Sequence, residues 1–334
     1  MEAAVTGAPA AWVLGVDSGG SGLRVALARA GASGEPEPRG EAPAADPVPT
    51  GGSGIDAEAL LSRVVPAARE LLGRAGAGER VDAVCVGAAG MATLGDDLRA
   101  VLPGALAAAL GVRRLALAAD AVTGYAGALG ERPGVVVAAG TGVIAVGTDL
   151  RRWHRVDGWG HLLGDCGGGA WIGRAGLEAA LRAYDGREGG SAALLARLRE
   201  VFGEPAGLPG QLYPRPDRPA LLGRFAPEVA ACAAAEPPDE VAAGILREAA
   251  RQIAVTAAAA CPGGEGEVAL TGGLFGAGEP LTGPLREELA HRIPRASVVS
   301  ARGGPLDGAV RIAARLAAGT LRLPADPALL RVAG

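Results

Sequence analysis

No lysine and no asparagine occur among the 334 residues, so arginine carries every fixed positive side-chain charge. A phosphate-loop NTPase needs the lysine of GxxxxGK[ST], and that class is excluded. Schiff-base and pyridoxal-phosphate chemistry falls with it. No CxxC pair exists either. Cys85, Cys166, Cys232 and Cys261 are scattered, as in a reduced, cytoplasmic protein without a disulfide frame. The formal net charge is -4, with no basic stripe of the kind a nucleic acid or an anionic membrane would call for. No apolar run approaches the ~20 residues of a membrane helix. Met1 to Ala11 carries an acid and no basic stretch, so no secretory signal is expected there.

Hydrophobic residues make up 49% and charged residues 20%, which supports a sizeable core rather than disorder. The length suits two domains. Trp12 to Asp17 is an apolar run ending in a carboxylate, followed by the turn Ser18 to Gly22 and an alternating strand from Leu23 to Leu27. A dinucleotide fold would pass from its glycine loop into a helix instead. Helical spacing covers 56–73, with Asp56 as N-cap and Pro66 expected to kink or split the helix. Further strands are expected at 81–86 and 115–119. Helices are expected near 96–110 and 121–129.

At Val135 the pattern restarts: strand, the turn Gly140-Thr141-Gly142, returning strand. Helices near 169–184, 193–202, 219–234, 239–260, 283–292 and 306–318 are expected, with strands at 268–271 and 296–300. The order in each half is hairpin, helix, strand, helix, strand. Such duplication predicts two similar α/β domains facing each other across a cleft.

Five places carry chemistry. In the first hairpin, glycines let backbone N–H groups approach an anion, and a carboxylate at the start of the turn can hold Mg²⁺ through water. An ordinary glycine hairpin is the plain alternative. The 140–142 turn has the same form, with a threonine hydroxyl for phosphate. Asp120 ends a strand, where open α/β sheets bind ligands. It suits a general base toward an alcohol, and equally a helix N-cap. The span Asp157 to Gly173 holds two tryptophans, two aspartates and seven glycines, a set suited to a sugar or to a structural turn. Gly272-Gly273 ends a strand and can let a flat adenine lie against backbone.

Together these residues resemble the N-acetylglucosamine kinase family, within the actin-like ATPases and related to the benzoyl-CoA reductase activating ATPases. The Gly-Trp-Gly-x-x-x-Gly-Asp form beginning at Gly158 is its specific part. The resemblance implies duplicated ribonuclease-H-like domains: a small one from 1–118 plus 306–334 and a large one from 119–305. It implies ATP and Mg²⁺ as cofactors. Asp17 would hold the metal through water, Gly19, Gly20 and Ser21 one end of the triphosphate, and Thr141 and Gly142 the other. Gly272 and Gly273 would line the adenosine site. Asp120 would be the base toward the 6-hydroxyl of an amino sugar, and Asp165, Trp159 and Gly160 would shape the sugar pocket. Arg24 is the nearest arginine for uncompensated phosphate charge. The sequence departs from the family's usual pattern at Cys166 for glutamate, Gly168 for serine and Ala119 for asparagine. An activator ATPase for a CoA-ester reductase or dehydratase, and a non-catalytic nucleotide or sugar sensor, are the alternatives. A small-molecule sugar is the expected partner, and a two-fold homodimer the base-rate expectation.

Overall fold

A continuous apolar run builds β1 (Ala11–Gly19) and an alternating one β2 (Gly22–Ala30), and the two form an antiparallel hairpin that sets Asp17 opposite Arg24. The computed structural model describes residues 11–19, 22–51 and 54–334. β3 (Pro36–Glu41) extends the hairpin at the sheet edge, where its two prolines interrupt no central ladder. α1 (Ala57–Arg74) starts at Asp56, whose carboxylate accepts the Ala59 N–H at 2.8 Å. The helix runs unbroken through Pro66, against the expected split. Leu60 and Val64 before the proline, and Ala68, Leu71 and Leu72 after it, are buried on one face. A mid-helix proline costs about 3 kcal/mol, while burying each large aliphatic side chain returns about 1.5–3 kcal/mol, so packing wins.

β4 (Ala83–Ala88), α2 (Asp96–Leu110), β5 (Arg114–Ala119) and α3 (Asp120–Ala128) follow as read from sequence. The restart is β6 (Gly134–Ala139) and β7 (Val143–Thr148), joined by an unexpected β8 (Trp153–Asp157). Then come α4 (Gly169–Tyr184) and α5 (Ala192–Phe202). The helix expected over 219–234 is two, α6 (Arg218–Gly223) and α7 (Ala226–Ala233). Pro227 stands in the first turn of α7, where its missing N–H costs nothing. α8 (Glu240–Ala260), β9 (Glu265–Thr271), α9 (Glu279–Arg292), β10 (Arg295–Val299) and α10 (Pro305–Ala318) complete the expected set. A last strand, β11 (Leu330–Ala333), was not anticipated.

The two large sheets are β11-β5-β4-β1-β2-β3 and β8-β7-β6-β9-β10. Apart from β11, the order is the same in both. Each has an antiparallel hairpin whose first strand, β1 or β6, is followed outward by two parallel strands. The duplication read from element order is therefore also a duplication of strand order.

Two compact units divide the chain. The first takes the chain up to Pro133 with Asp149–Trp153 and Ser300–Gly334, and the second takes Gly134–Thr148 and His154–Val299. The division after residue 118 moves to Pro133 because α3 packs on α10. The units are comparable in length rather than one small and one large. An ideal Cβ on Gly308 of α10 would lie 1.8 Å from the Thr123 carbonyl oxygen, and one on Gly127 would lie 2.0 Å from that of Gly304. Only glycine permits these approaches. In the second unit the core joins Val135 and Val137 of β6 to Leu246 and Ile253 of α8. Among the described residues no helix is long and apolar enough to cross a membrane.

Candidate active site

β1, β4 and β5 run parallel, so their carboxyl ends share one edge of the first sheet. Asp17 pairs in register with Gly87, and Gly87 with Ala118. Asp120 thus begins two residues beyond the level of Asp17 and two strand spacings away, roughly 10 Å. An ideal Cβ on Gly87 would sit 2.7 Å from the Thr123 side chain, so this face of the sheet lies directly under α3. Asp17, in register with Gly87, projects from the same face.

Asp17 is only 7% exposed, and Arg24 across the hairpin donates to its Oδ2, from Nε at 3.2 Å. The arginine expected to meet phosphate is thus the partner of the expected metal carboxylate. Gly19 ends β1 with open space where a Cβ would point. Gly20 and Ser21 lie outside the described residues.

Asp120 is exposed as the first residue of α3, and the N-cap is Ala119 rather than Asp120. Its Oδ1 accepts the Ala121 N–H at 2.8 Å. Its carbonyl accepts the hydroxyl of Thr123, fully buried, at 2.9 Å. The carboxylate stands at the positive end of the helix, which favours an anion there.

In the second unit the 140–142 turn rests on the start of α4. Gly169 N–H donates to the Gly140 carbonyl at 2.8 Å, and Ala170 N–H to that of Thr141 at 2.9 Å. A Cβ on Gly168 would come within 2.9 Å of Gly142, so the family's serine at this place would press the turn. Asp157, at φ 61°, ends β8 and organises the loop that follows. It accepts the N–H groups of Asp165 at 2.7 Å and Cys166 at 3.3 Å. Asp165, at φ 56°, accepts the Gly160 N–H at 3.3 Å and lies so close to Gly142 that a Cβ there would meet Oδ2 at 2.3 Å. Trp159 is 62% exposed, with the Arg155 guanidinium 4.7 Å over its ring.

Burial raises the Asp165 carboxyl above its ordinary value, and the charge of Asp157 adds to this, against the Gly160 N–H that lowers it. Folding therefore favours the neutral acid. Ionised Asp165 costs stability at neutral pH, and the cost fades as pH falls through the raised value toward the ordinary one. Asp157→Asn keeps an oxygen for the Asp165 N–H but removes the neighbouring charge. Two-dimensional NMR of the carboxyls should show Asp165 titrating at lower pH in that variant. An unmoved titration would leave the coupling without support.

A pocket of about 530 Å³ opens within the second unit. Thr141 and Gly273 both line it, joining two positions read separately from sequence. Gly272 does not line it. Its φ is 101°, and a Cβ would meet the Ala139 carbonyl oxygen at 2.2 Å, so its role is to let β9 turn tightly beside β6. Gly272→Ala should lower stability by on the order of 1–3 kcal/mol, read from the urea midpoint. A midpoint equal to the parent's would contradict the tight turn.

Sequence reasoning missed Asp157 as organiser, the wall α7 gives to the pocket, and Thr123. A strand-end Asp-Gly pair and the small-residue run from Ala230 to Ala235 were the available signals.

Two sheets of one strand order, each opened by a glycine hairpin, make this an actin-like ATPase fold. The hexokinase from Schistosoma mansoni complexed with glucose shares that fold, at TM-score 0.54 and 13% identity over 92% of this chain and 86% of that one. The family model described as BadF/BadG/BcrA/BcrD ATPase matches residues 14–312, and the chain belongs to that family. A candidate N-acetylglucosamine kinase from Chromobacterium violaceum is 28% identical at TM-score 0.67, over 90% of this chain and 98% of that one. The N-acetylmuramic acid/N-acetylglucosamine kinase of Clostridium acetobutylicum is 33% identical over 110 residues, 33% of this chain. That match covers 35% of the relative's length.

Proposed function

We propose that this chain is an ATP-dependent sugar kinase that phosphorylates the 6-hydroxyl of an amino sugar, N-acetylglucosamine being the acceptor. The observation that carries the reading is the placing of Asp17 and Asp120 on one carboxyl edge of the first sheet. The likeness to the Chromobacterium violaceum protein, across almost its whole length, supports the acceptor class.

In this reading Asp120 accepts the hydroxyl proton as the sugar oxygen bonds to the γ-phosphorus and the bond to the β,γ-bridging oxygen breaks. ADP leaves, and the proton passes from Asp120 to solvent. Thr141 and Gly142 meet phosphate, Gly19 with Gly20 and Ser21 meet its other end, and the pocket at Gly273 takes the nucleoside. Asp165, with Gly160 and Trp159, binds and orients the sugar. Among the described residues no group of three metal-ligating side chains converges. The donor set fits an ion held by phosphate oxygens and water, with Asp17 as its protein partner, which is how Mg²⁺ is commonly bound. Bound there, Mg²⁺ would neutralise phosphate charge.

The cysteines support a kinase over an activator ATPase. Cys85, Cys232 and Cys261 are buried, and burial raises each thiol. Burial, then Asp157 and Asp165, raise Cys166 as well. A cluster shared across an interface needs cysteines that converge at the surface, and Cys85, Cys232 and Cys261 are buried on separate elements. A coupled ADP-release assay over a panel of sugars tests the proposal. N-acetylglucosamine should give turnover, with phosphate on O6 by NMR. Absence of sugar-dependent ADP release across the panel would sink it.

A further inference from the structure

The pocket that takes the nucleoside in the kinase reading is nearly bare of polar side chains. One wall is α7, from which Ala226 and Ala230 line the cavity one helical turn apart, with Ala234 just past its end. The turn at Gly273–Ala277 gives another wall, with Leu274 the largest of its lining residues. Among the described lining residues Thr141 alone has a polar side-chain atom, and it belongs to the hairpin turn assigned to phosphate. Main-chain groups inside α7 are committed to their own helix. Pro227, Ala231 and Ala234 line the pocket and are exposed, so they form its rim, and that rim holds no side-chain donor or acceptor.

Adenine and guanine have the same flat bicyclic shape and differ in the polar groups on their edges. A site built to hydrogen-bond such a group rejects the wrong ligand by about 10⁴–10⁵, whereas an apolar site cannot. A cavity of about 530 Å³ also has room for guanine's additional amino group. We infer that the pocket holds its purine by shape and apolar contact, and that GTP and ITP serve as phosphoryl donors about as well as ATP. The inference rests on the kinase reading for the donor role, and on the pocket alone for the binding.

The test uses the full chain with the magnesium salts of ATP, GTP and ITP. Calorimetric dissociation constants should agree within about tenfold, as should kcat/KM with N-acetylglucosamine. A preference for ATP beyond that in the dissociation constants overturns the inference, with the kinase reading intact. If no nucleotide supports transfer to any sugar, the kinase reading fails and the dissociation constants still decide base tolerance. Ala230→Met, which fills the pocket, should raise KM for ATP and GTP together by about tenfold or more, as loss of shape complementarity predicts. A rise for one nucleotide alone, or for neither, counts against the inference. Should that variant lose its circular-dichroism signature, Ala231→Met on the exposed rim makes the same comparison.

Discussion

Asp120→Asn should lower turnover by about 10²–10⁴, because the amide cannot take the proton of the attacking hydroxyl. The substitution is mild for the fold. Its Oδ1 can still accept the Ala121 N–H that Asp120 accepts at 2.8 Å, and the position is exposed at the first turn of α3. Nucleotide binding and the thermal midpoint should therefore be retained while kcat falls. That split separates a base from a residue that merely holds the end of the helix, for which Asn would serve as well and neither stability nor turnover would fall. Unchanged kinetics in this variant would refute the role given to Asp120.

The second large effect is expected at a buried glycine between two helices. Gly308→Ala places a methyl group where only 1.8 Å separates the ideal Cβ from the Thr123 carbonyl oxygen. Backbone does not yield as the end of a flexible side chain would, so α3 and α10 must separate. Overpacking of this kind costs about 1–3 kcal/mol and sometimes more. For a unit of this size the thermal midpoint should fall by roughly 2–12 °C. The displacement also reaches Asp120, whose carbonyl is tied to Thr123. Residual activity at low temperature should therefore show a raised KM for the acceptor. A midpoint equal to the parent's would show that the helices are not packed this closely.

Much of this was legible along the chain. The hairpin at Asp17 is written in an apolar run, a glycine turn and period-two alternation, and α2 in an Ala/Leu pattern whose limits, 96–110, the structure reproduces. Asp120 was legible as a strand-end residue for the same local reason. β8 and β11 were not, since Trp153–Asp157 and Leu330–Ala333 are short and lack a run of apolar residues. Each becomes a strand by pairing with a neighbour whose own pattern is strong. Pro66 misled in the opposite direction, because a local breaking signal was outweighed by burial on both sides of it.

By itself the sequence determined the chemistry that is excluded: no lysine, hence no phosphate-loop lysine and no lysine covalent catalysis. It also determined the repeated order of elements and the places where carboxylates and glycines end strands, because turn chemistry and side-chain periodicity are properties of neighbouring residues. Tertiary structure alone decided that β1, β4 and β5 lie side by side, bringing Asp17 level with Ala118 across two strands. It also decided that Asp157 holds Asp165, and that Gly308 meets Thr123. Those facts depend on partners distant along the chain, and what a glycine or an aspartate is for is set by the atom that packing places opposite it.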